Sequence, residues 1–186
     1  MKDIHLSRLR AQPISNTFPE IWILGTSNYG AQLAAYFGIP YCYAHFITEG
    51  RGMKESINIY KNQFRPSDLL EKPKINLCIW ALTSNNDESA KYLYSSRACW
   101  KIERNFGEIG TLKEPKEALN NIYNNDWGNE FDFMFDNSLV GSKQKVKGKL
   151  DKLKNDTDFD ELTILTWCYD DNERINSYKF FSEMFS

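Results

Sequence analysis

Long apolar segments are absent from this sequence of 186 residues. No apolar run approaches the roughly 18 residues that a membrane-spanning helix needs, and the N-terminal segment leads into no signal-peptide core. Charge of one sign is also lacking, because 23 Lys and Arg residues are interspersed with 25 Asp and Glu residues. Such a balance creates no broad field that attracts nucleic acid or an anionic membrane. We therefore expect a cytoplasmic protein that binds neither.

Histidine and cysteine are scarce as well. The two histidines, His5 and His45, are far apart in the sequence, and the four cysteines are widely spaced. Neither set has the close ligand spacing of a metal site, so the sequence predicts none. Three of the four cysteines fall in apolar, strand-like runs, where Cys acts as a small hydrophobic residue. We expect reduced thiols without disulfides.

Apolar residues are plentiful, with 41% hydrophobic and 15% aromatic residues, and the length fits a single domain over residues 1–186 with a sizeable core. Short apolar runs at 21–24, 41–47, 75–82 and 161–168 predict four strands. A segment with apolar residues at helical spacing follows each run. Unbroken apolar strands that alternate with helices indicate an α/β fold with a parallel sheet.

Two segments depart from this alternation. Residues 1–20 form a predicted N-terminal extension, and residues 105–140 are rich in Asn, Asp, Gly and aromatic residues. We interpret residues 105–140 as an irregular insertion with one candidate short helix at 115–123. A closed barrel of eight strand–helix units usually takes about 250 residues, so about four units leave two architectures open. These are a small open sheet and half of a barrel.

The segment Gly25-Thr26-Ser27-Asn28-Tyr29-Gly30 connects the first predicted strand to the first helix. Backbone N–H groups and the helix dipole converge at such a position and favour an anion. Ser27 is suited to cap the helix and to donate its hydroxyl to a phosphate oxygen, while Gly30 lets a ligand approach the backbone. From these residues alone, a phosphate site and a plain helix cap are equally good interpretations.

Two familiar phosphate-binding loops differ from this turn in sequence. A P-loop requires Lys and then Ser or Thr after its last Gly, and Ala31-Gln32 at that place excludes it. A Rossmann fingerprint would have Gly in place of Ser27, and its acidic ribose partner would be Glu49. A small Rossmann-like dinucleotide-binding module therefore remains an alternative.

Several motifs occur in the order of one known family. They are residues 21–40 with the turn described above, Ala44-His45-Phe46, Phe64-Arg65-Pro66-Ser67, residues 83–90, and Val140-Gly141-Ser142 before the last helix–strand pair. With these motifs, the sequence resembles the C-terminal half of the bacterial luciferase-like flavin-dependent monooxygenase family over most of residues 20–186.

The resemblance implies the C-terminal half of a TIM-type (β/α)8 barrel, in which residues 21–24 are the fifth strand. It also implies reduced FMN, delivered by a separate reductase, as the cofactor that activates O2 to oxidise substrates such as aldehydes. The flavin phosphate would contact Ser27, Asn28, Tyr29 and Gly30, although many relatives have Ser or Thr in place of Gly30. The catalytic histidine of the family belongs to the N-terminal half, so the catalytic residues of this chain are not identified. His45, at the end of its predicted strand, is a candidate for a role near flavin or substrate, or simply a hydrogen-bonded strand-end histidine.

The resemblance therefore predicts a luciferase-like FMN-dependent monooxygenase in a truncated or split form. The alternative is a non-catalytic flavin-binding or partner subunit. Four strands of a barrel have two unpaired edges and an apolar inner face. We expect a homodimer, pairing with an N-terminal barrel half, or an open sheet covered by residues 105–140.

Overall fold

The computed structural model describes residues 12–14, 17 and 19–185. His5 and most of the predicted N-terminal extension lie outside these residues. Five strands occur in the described part: β1 (Ile23–Gly25), β2 (Tyr41–Tyr43), β3 (Ile75–Ser84), β4 (Leu139–Ser142) and β5 (Glu161–Leu165). The helices there are α1 (Asn28–Phe37), α2 (His45–Thr48), α3 (Met53–Gln63), α4 (Asp87–Asn105), α5 (Pro115–Asn124), α6 (Gly128–Asn137), α7 (Lys143–Asp156) and α8 (Asp171–Phe185).

The strands form one parallel sheet around β3, whose ten residues are all buried. β1 pairs with β2, and β2 pairs with the start of β3. β5 pairs with β3 along residues 76–80, and the short β4 pairs with residues 81–84. The path β1–β2–β3–β5 follows chain order, as in the wall of a barrel, without the reversal of a doubly wound sheet. The predicted α/β fold with about four parallel strands is confirmed, and β4 is an addition.

The two faces of the sheet are covered differently. Because side chains alternate along a strand, Leu77 packs with residues of α1 and α3, and Ile79 packs with residues of α7 and α8. On the opposite face, Leu82 packs with residues of α4, α5 and α6. We call the face of the sheet that carries Leu77 and Ile79 the helix side, and the face that carries Leu82 the inner face. Helices α4–α6 thus cover the inner face where β3 ends, whereas Leu24 of β1 is 56% exposed.

Residues 105–140 contain more regular structure than predicted. The expected short helix is present as α5, which begins with Pro115 at a position where the missing N–H costs nothing. A second helix, α6, follows, and it buries Phe131, Met134 and Phe135 at helical spacing against α4. The Asn and Asp residues of this segment lie mainly on the exposed faces of both helices. Whether the segment is an insertion stays a prediction.

The second predicted strand is shorter than residues 41–47. β2 ends at Tyr43, which pairs with Gly25 at the end of β1, and His45–Thr48 form the one-turn helix α2. The backbone then has positive φ angles at Glu49, Gly50 and Gly52, which turn the chain into α3. No helix in the described part of the chain has the length and apolar character needed to span a membrane.

Candidate functional site

The Gly25–Gly30 turn lies where β1 ends and α1 begins. Ser27 is the N-cap of α1, with extended backbone angles, and its Oγ accepts a hydrogen bond from the Gly30 backbone N–H at 3.3 Å. This bond leaves the hydroxyl hydrogen of Ser27 available as a donor. The first turn of α1 carries no acidic residue. The helix end therefore keeps the positive character that favours an anion.

Asn28 is held from the neighbouring helix α3. Its Nδ2 donates to Glu55 Oε1 at 2.7 Å, and its Oδ1 accepts from Ser56 Oγ at 3.0 Å. Ser56 Oγ also lies 3.4 Å from the Thr26 carbonyl oxygen. These contacts fix the shape of the turn, but they also bring the negative charge of Glu55 close to the position where a phosphate would lie.

Tyr29 and Gly30 complete the turn. The Tyr29 side chain is 71% exposed, so it is available to a ligand or to another chain. A Cβ atom at Gly30 would lie 3.8 Å from Ile23 Cγ2 and from Ser27 Oγ, which are ordinary van der Waals distances. Packing therefore does not require glycine at this position, and a serine would fit. No Lys or Arg of the described residues is hydrogen-bonded to the turn, so a phosphate there would depend on N–H groups and hydroxyls.

His45, the other predicted site residue, lies apart from the turn. His45 is only 4% exposed, and no hydrogen bond joins its imidazole to another described residue, although its nitrogens are not among the fully buried atoms that lack a partner. Burial, with added repulsion from Lys101 and Arg97, lowers the pKa of His45 to about 4, so the imidazole is neutral at pH 7. It lines a cleft together with Ile79 on the helix side of the sheet. The structure thus does not bring His45 onto the inner face, and its role near flavin stays a prediction.

Sequence reasoning missed a buried charge cluster at the end of β2. Arg97 of α4 is 1% exposed, and both of its terminal nitrogens donate to Glu49 Oε1 at 3.3 Å. Lys101 Nζ donates to the same oxygen. Because Arg97 and Lys101 both pair with this buried carboxylate, Glu49 is not free to bind a ribose. The dinucleotide-binding alternative therefore gains no support.

Aromatic residues lie beside this cluster on the inner face. The Arg97 guanidinium is 4.2 Å from the ring centroid of Trp80, and Trp80 contacts Trp167 edge to face at 4.9 Å. Trp167, just after β5, is 41% exposed and also contacts Trp100 at 4.8 Å. Active sites of parallel barrels lie at this end of the strands. An indole surface therefore lines the region where the substrate site of a barrel would be expected. Among the described residues, no group of three or more His, Cys, Asp or Glu side chains is arranged to hold a metal ion.

Known proteins are similar to this chain over most of its length. No family model matches it. A protein of Escherichia coli strain K12 named luciferase-like monooxygenase is 30% identical over 160 residues, which are 86% of this chain and 47% of that protein. The crystal structure of apo-MsnO8 has 25% identity and a TM-score of 0.79, and the match covers 96% of this chain and 54% of that one.

A third match is the oxygenating constituent of 3,6-diketocamphane monooxygenase from the CAM plasmid of Pseudomonas putida, solved in complex with FMN. It has 19% identity and a TM-score of 0.53, and the match covers 89% of this chain and 48% of that one. At this identity the likeness shows the fold alone. The chain spans about half the length of the curated relatives it matches.

The sheet order defines a parallel α/β fold with about half the strands of a barrel. The Ser27-capped turn adds a position that favours an anion where the first strand ends. The comparisons then show that the chain is similar to luciferase-like monooxygenases, as the sequence resemblance predicted, over about half of their length.

Proposed function

We propose that this chain provides the flavin-phosphate end of a luciferase-like FMN-dependent monooxygenase site. The observation that carries the proposal is the Ser27-capped amino end of α1 where β1 ends. In this arrangement the Ser27 hydroxyl and backbone N–H groups of the turn donate to the phosphate, and Tyr29 borders it. Asn28, held by α3, keeps the turn in shape. Reduced FMN, supplied by a separate reductase, would activate O2 for transfer of one oxygen atom to the substrate.

The described residues suit binding better than chemistry. In the charge cluster at the end of β2, Arg97 and Lys101 are both paired with Glu49, and His45 faces the helix side. Proton transfer in the monooxygenase would therefore require groups from the other half of the barrel. This observation also favours a second candidate function, a non-catalytic flavin-binding or partner subunit.

The open parts of the sheet suggest how a site would be completed. Among the described strands, β1 and β5 each pair with a single neighbour, and Leu24 and Trp167 expose apolar surface on the inner face. Unpaired strand edges beside exposed apolar surface favour association. We propose that they pack against a complementary barrel half, in the same polypeptide or in another, with a homodimer as the alternative. Helices α4–α6 cover only part of this face.

A flavin titration tests the proposal. FMN is added to the purified chain, alone and with the matching N-terminal half of a relative, and flavin fluorescence and heat are recorded. We expect saturable binding that is tighter when the second half is present. Absence of binding in both samples would contradict the proposal. Oxygen consumption with reduced FMN and a long-chain aldehyde then separates the monooxygenase from the non-catalytic subunit.

A further inference from the structure

A cleft of about 690 Å³ lies between α3 and α7, on the helix side of the sheet. Its walls are formed by the turn after α2, the first turn of α3, the end of α6 and the second half of α7. Ile79, Met53 and Leu153 supply apolar lining, and His45, Lys54 and Lys152 supply polar lining. The Gly25–Gly30 turn is not part of this lining, so the cleft is a separate feature of the fold.

His45 is the buried polar group of the cleft. No hydrogen bond joins this imidazole to a described residue, and its nitrogens are not among the fully buried atoms that lack a partner, so they remain open to the cleft. As a neutral ring it has one N–H donor and one acceptor nitrogen. The turn is shaped around it, because a Cβ at Gly50 would lie 2.7 Å from Nε2 and the Gly50 φ angle is +81°. The ring is therefore held in place, and its nitrogens are open to the cleft without a protein partner among the described residues.

The amino end of α3 lies in the same cleft. Its N-cap, Gly52, provides no side-chain cap, and the backbone N–H groups of Lys54 and Glu55 donate to no described residue. Free N–H groups at the start of an eleven-residue helix attract anions through direct hydrogen bonds and the helix dipole, and the Glu55 carboxylate in the same turn weakens this attraction. An uncapped helix end thus faces the same cleft as an unpartnered buried histidine.

Most charges of the cleft have partners. Glu49 is paired with Arg97 and Lys101, and Asp156 Oδ1 lies 3.7 Å from Lys54 Nζ. The remaining carboxylates are Glu55, which accepts from an amide, and Asp136, which lies near the Lys149 ammonium. Lys152 has no ion pair within the described part of the chain. Lys152 is therefore a cation without an ion pair, beside two free backbone donors, and Glu55 is a carboxylate of the cleft whose only partner among the described residues is the neutral Asn28 amide.

We propose that this cleft binds a small ligand with an oxyanion, a carboxylate or a phosphate. The anion lies at the amino end of α3, accepts a hydrogen bond from the His45 imidazole and is neutralised by Lys152. The inference does not depend on flavin, because no residue of the α1 turn takes part.

Nuclear magnetic resonance of the ¹⁵N-labelled chain tests the site, with inorganic phosphate or acetate added at constant ionic strength. We expect the Lys54 amide and the His45 ring nitrogens to shift and saturate. His45→Gln is expected to weaken binding about tenfold and Lys152→Ala about threefold, as for the loss of one hydrogen bond and one exposed charge. Lys147→Ala, on the exposed face of α7, is the matched control and should leave the affinity unchanged. A response to only one of the two anions identifies the ligand class.

Three outcomes would overturn the inference. They are no shift at Lys54 or His45, shifts confined to residues 27–30, and an unchanged affinity in Lys152→Ala. If His45→Gln does not fold, the shift map and the Lys152→Ala variant decide the question. Shifts at the cleft should persist in Ser27→Ala, so failure of the flavin site and failure of this site are distinguishable.

Discussion

Asn28 Nδ2 donates a hydrogen bond to Glu55 Oε1 at 2.7 Å, which joins the phosphate-binding candidate turn on α1 to the first turn of α3. The same contact sets a carboxylate beside a position where a dianionic phosphate is expected. The negative charges of Glu55 and of such a phosphate would repel each other, with an energy that depends strongly on how much water lies between them. We therefore expect the proposed phosphate site to bind more weakly than its N–H groups alone would allow.

Glu55→Gln removes this charge and keeps a side-chain oxygen that can accept from Asn28. We expect FMN to bind about threefold to tenfold more tightly, which corresponds to roughly 1 kcal/mol. The measurement is the dissociation constant for FMN at two salt concentrations, with Glu71→Gln, in the exposed segment before β3, as the control. Equal affinities of Glu55→Gln and the unsubstituted chain would show that Glu55 does not face the phosphate.

Gly30 has room for a side chain, and two substitutions separate its possible effects. Both Gly30→Ala and Gly30→Ser should raise helix stability by about 0.5 kcal/mol, because glycine is a poor helix residue. Only Gly30→Ser adds a hydroxyl that can donate to the phosphate. We expect both variants to raise Tm slightly and only the serine variant to bind FMN more tightly. A tighter-binding alanine variant would assign the gain to helix order instead.

Burial of His45 predicts loss of stability in acid. Its pKa is about 4 in the fold, below the ordinary value of 6.5, so the unfolded chain binds a proton first as pH falls. The neutral, buried imidazole therefore makes its full contribution to the free energy of unfolding above pH 6.5. As the pH falls from 6.5 to 4, this contribution is lost, and the free energy of unfolding decreases by about 3 kcal/mol. Urea unfolding at pH 7 and pH 4.5 measures the loss, and His45→Phe should reduce it. An unchanged pH dependence in His45→Phe would place the acid sensitivity elsewhere.

Lys149 binds backbone carbonyl groups between the end of α6 and the start of β4. Its Nζ donates to the carbonyl oxygens of Phe135, Ser138 and Val140. Lys149→Met keeps most of the apolar stem and leaves these carbonyls without a donor, so we expect a loss of about 2 kcal/mol in the free energy of unfolding. Lys147→Met, exposed on the same helix, is the matched control. Equal stabilities of the two variants would mean that water replaces the ammonium at no cost.

Local patterns predicted the parts of the fold that depend on neighbouring residues. The apolar run of β3 and the Ser27 cap were readable because burial pattern and cap chemistry act over a few positions. Helix α6 was missed because its polar face, rich in Asn and Asp, resembles a loop. Residues 45–47 were predicted as strand because their apolar side chains suit either structure, whereas the structure has the helix His45–Thr48 there, followed by a turn with positive φ angles at Glu49, Gly50 and Gly52.

Contacts between distant residues could not be predicted from the sequence. Glu49 and Arg97 are 48 positions apart, and nothing near either residue indicates that they meet. The same holds for Asn28 and Glu55, which meet only because α1 and α3 pack side by side. The environment of His45 likewise depends on elements that follow it by up to about a hundred residues. The candidate turn could therefore be predicted as a motif from the sequence. The charges around it and the cleft between α3 and α7 could be found only in the structure.

A comparison of FMN with riboflavin tests the central claim most directly, because the two molecules differ only in the phosphate. Both are titrated into the chain with the complementary barrel half present, before and after Ser27→Ala. We predict that FMN binds at least about tenfold more tightly than riboflavin and that Ser27→Ala removes most of this difference. Equal affinities for the two flavins, or a preference for FMN that Ser27→Ala leaves intact, would contradict a phosphate site at the amino end of α1.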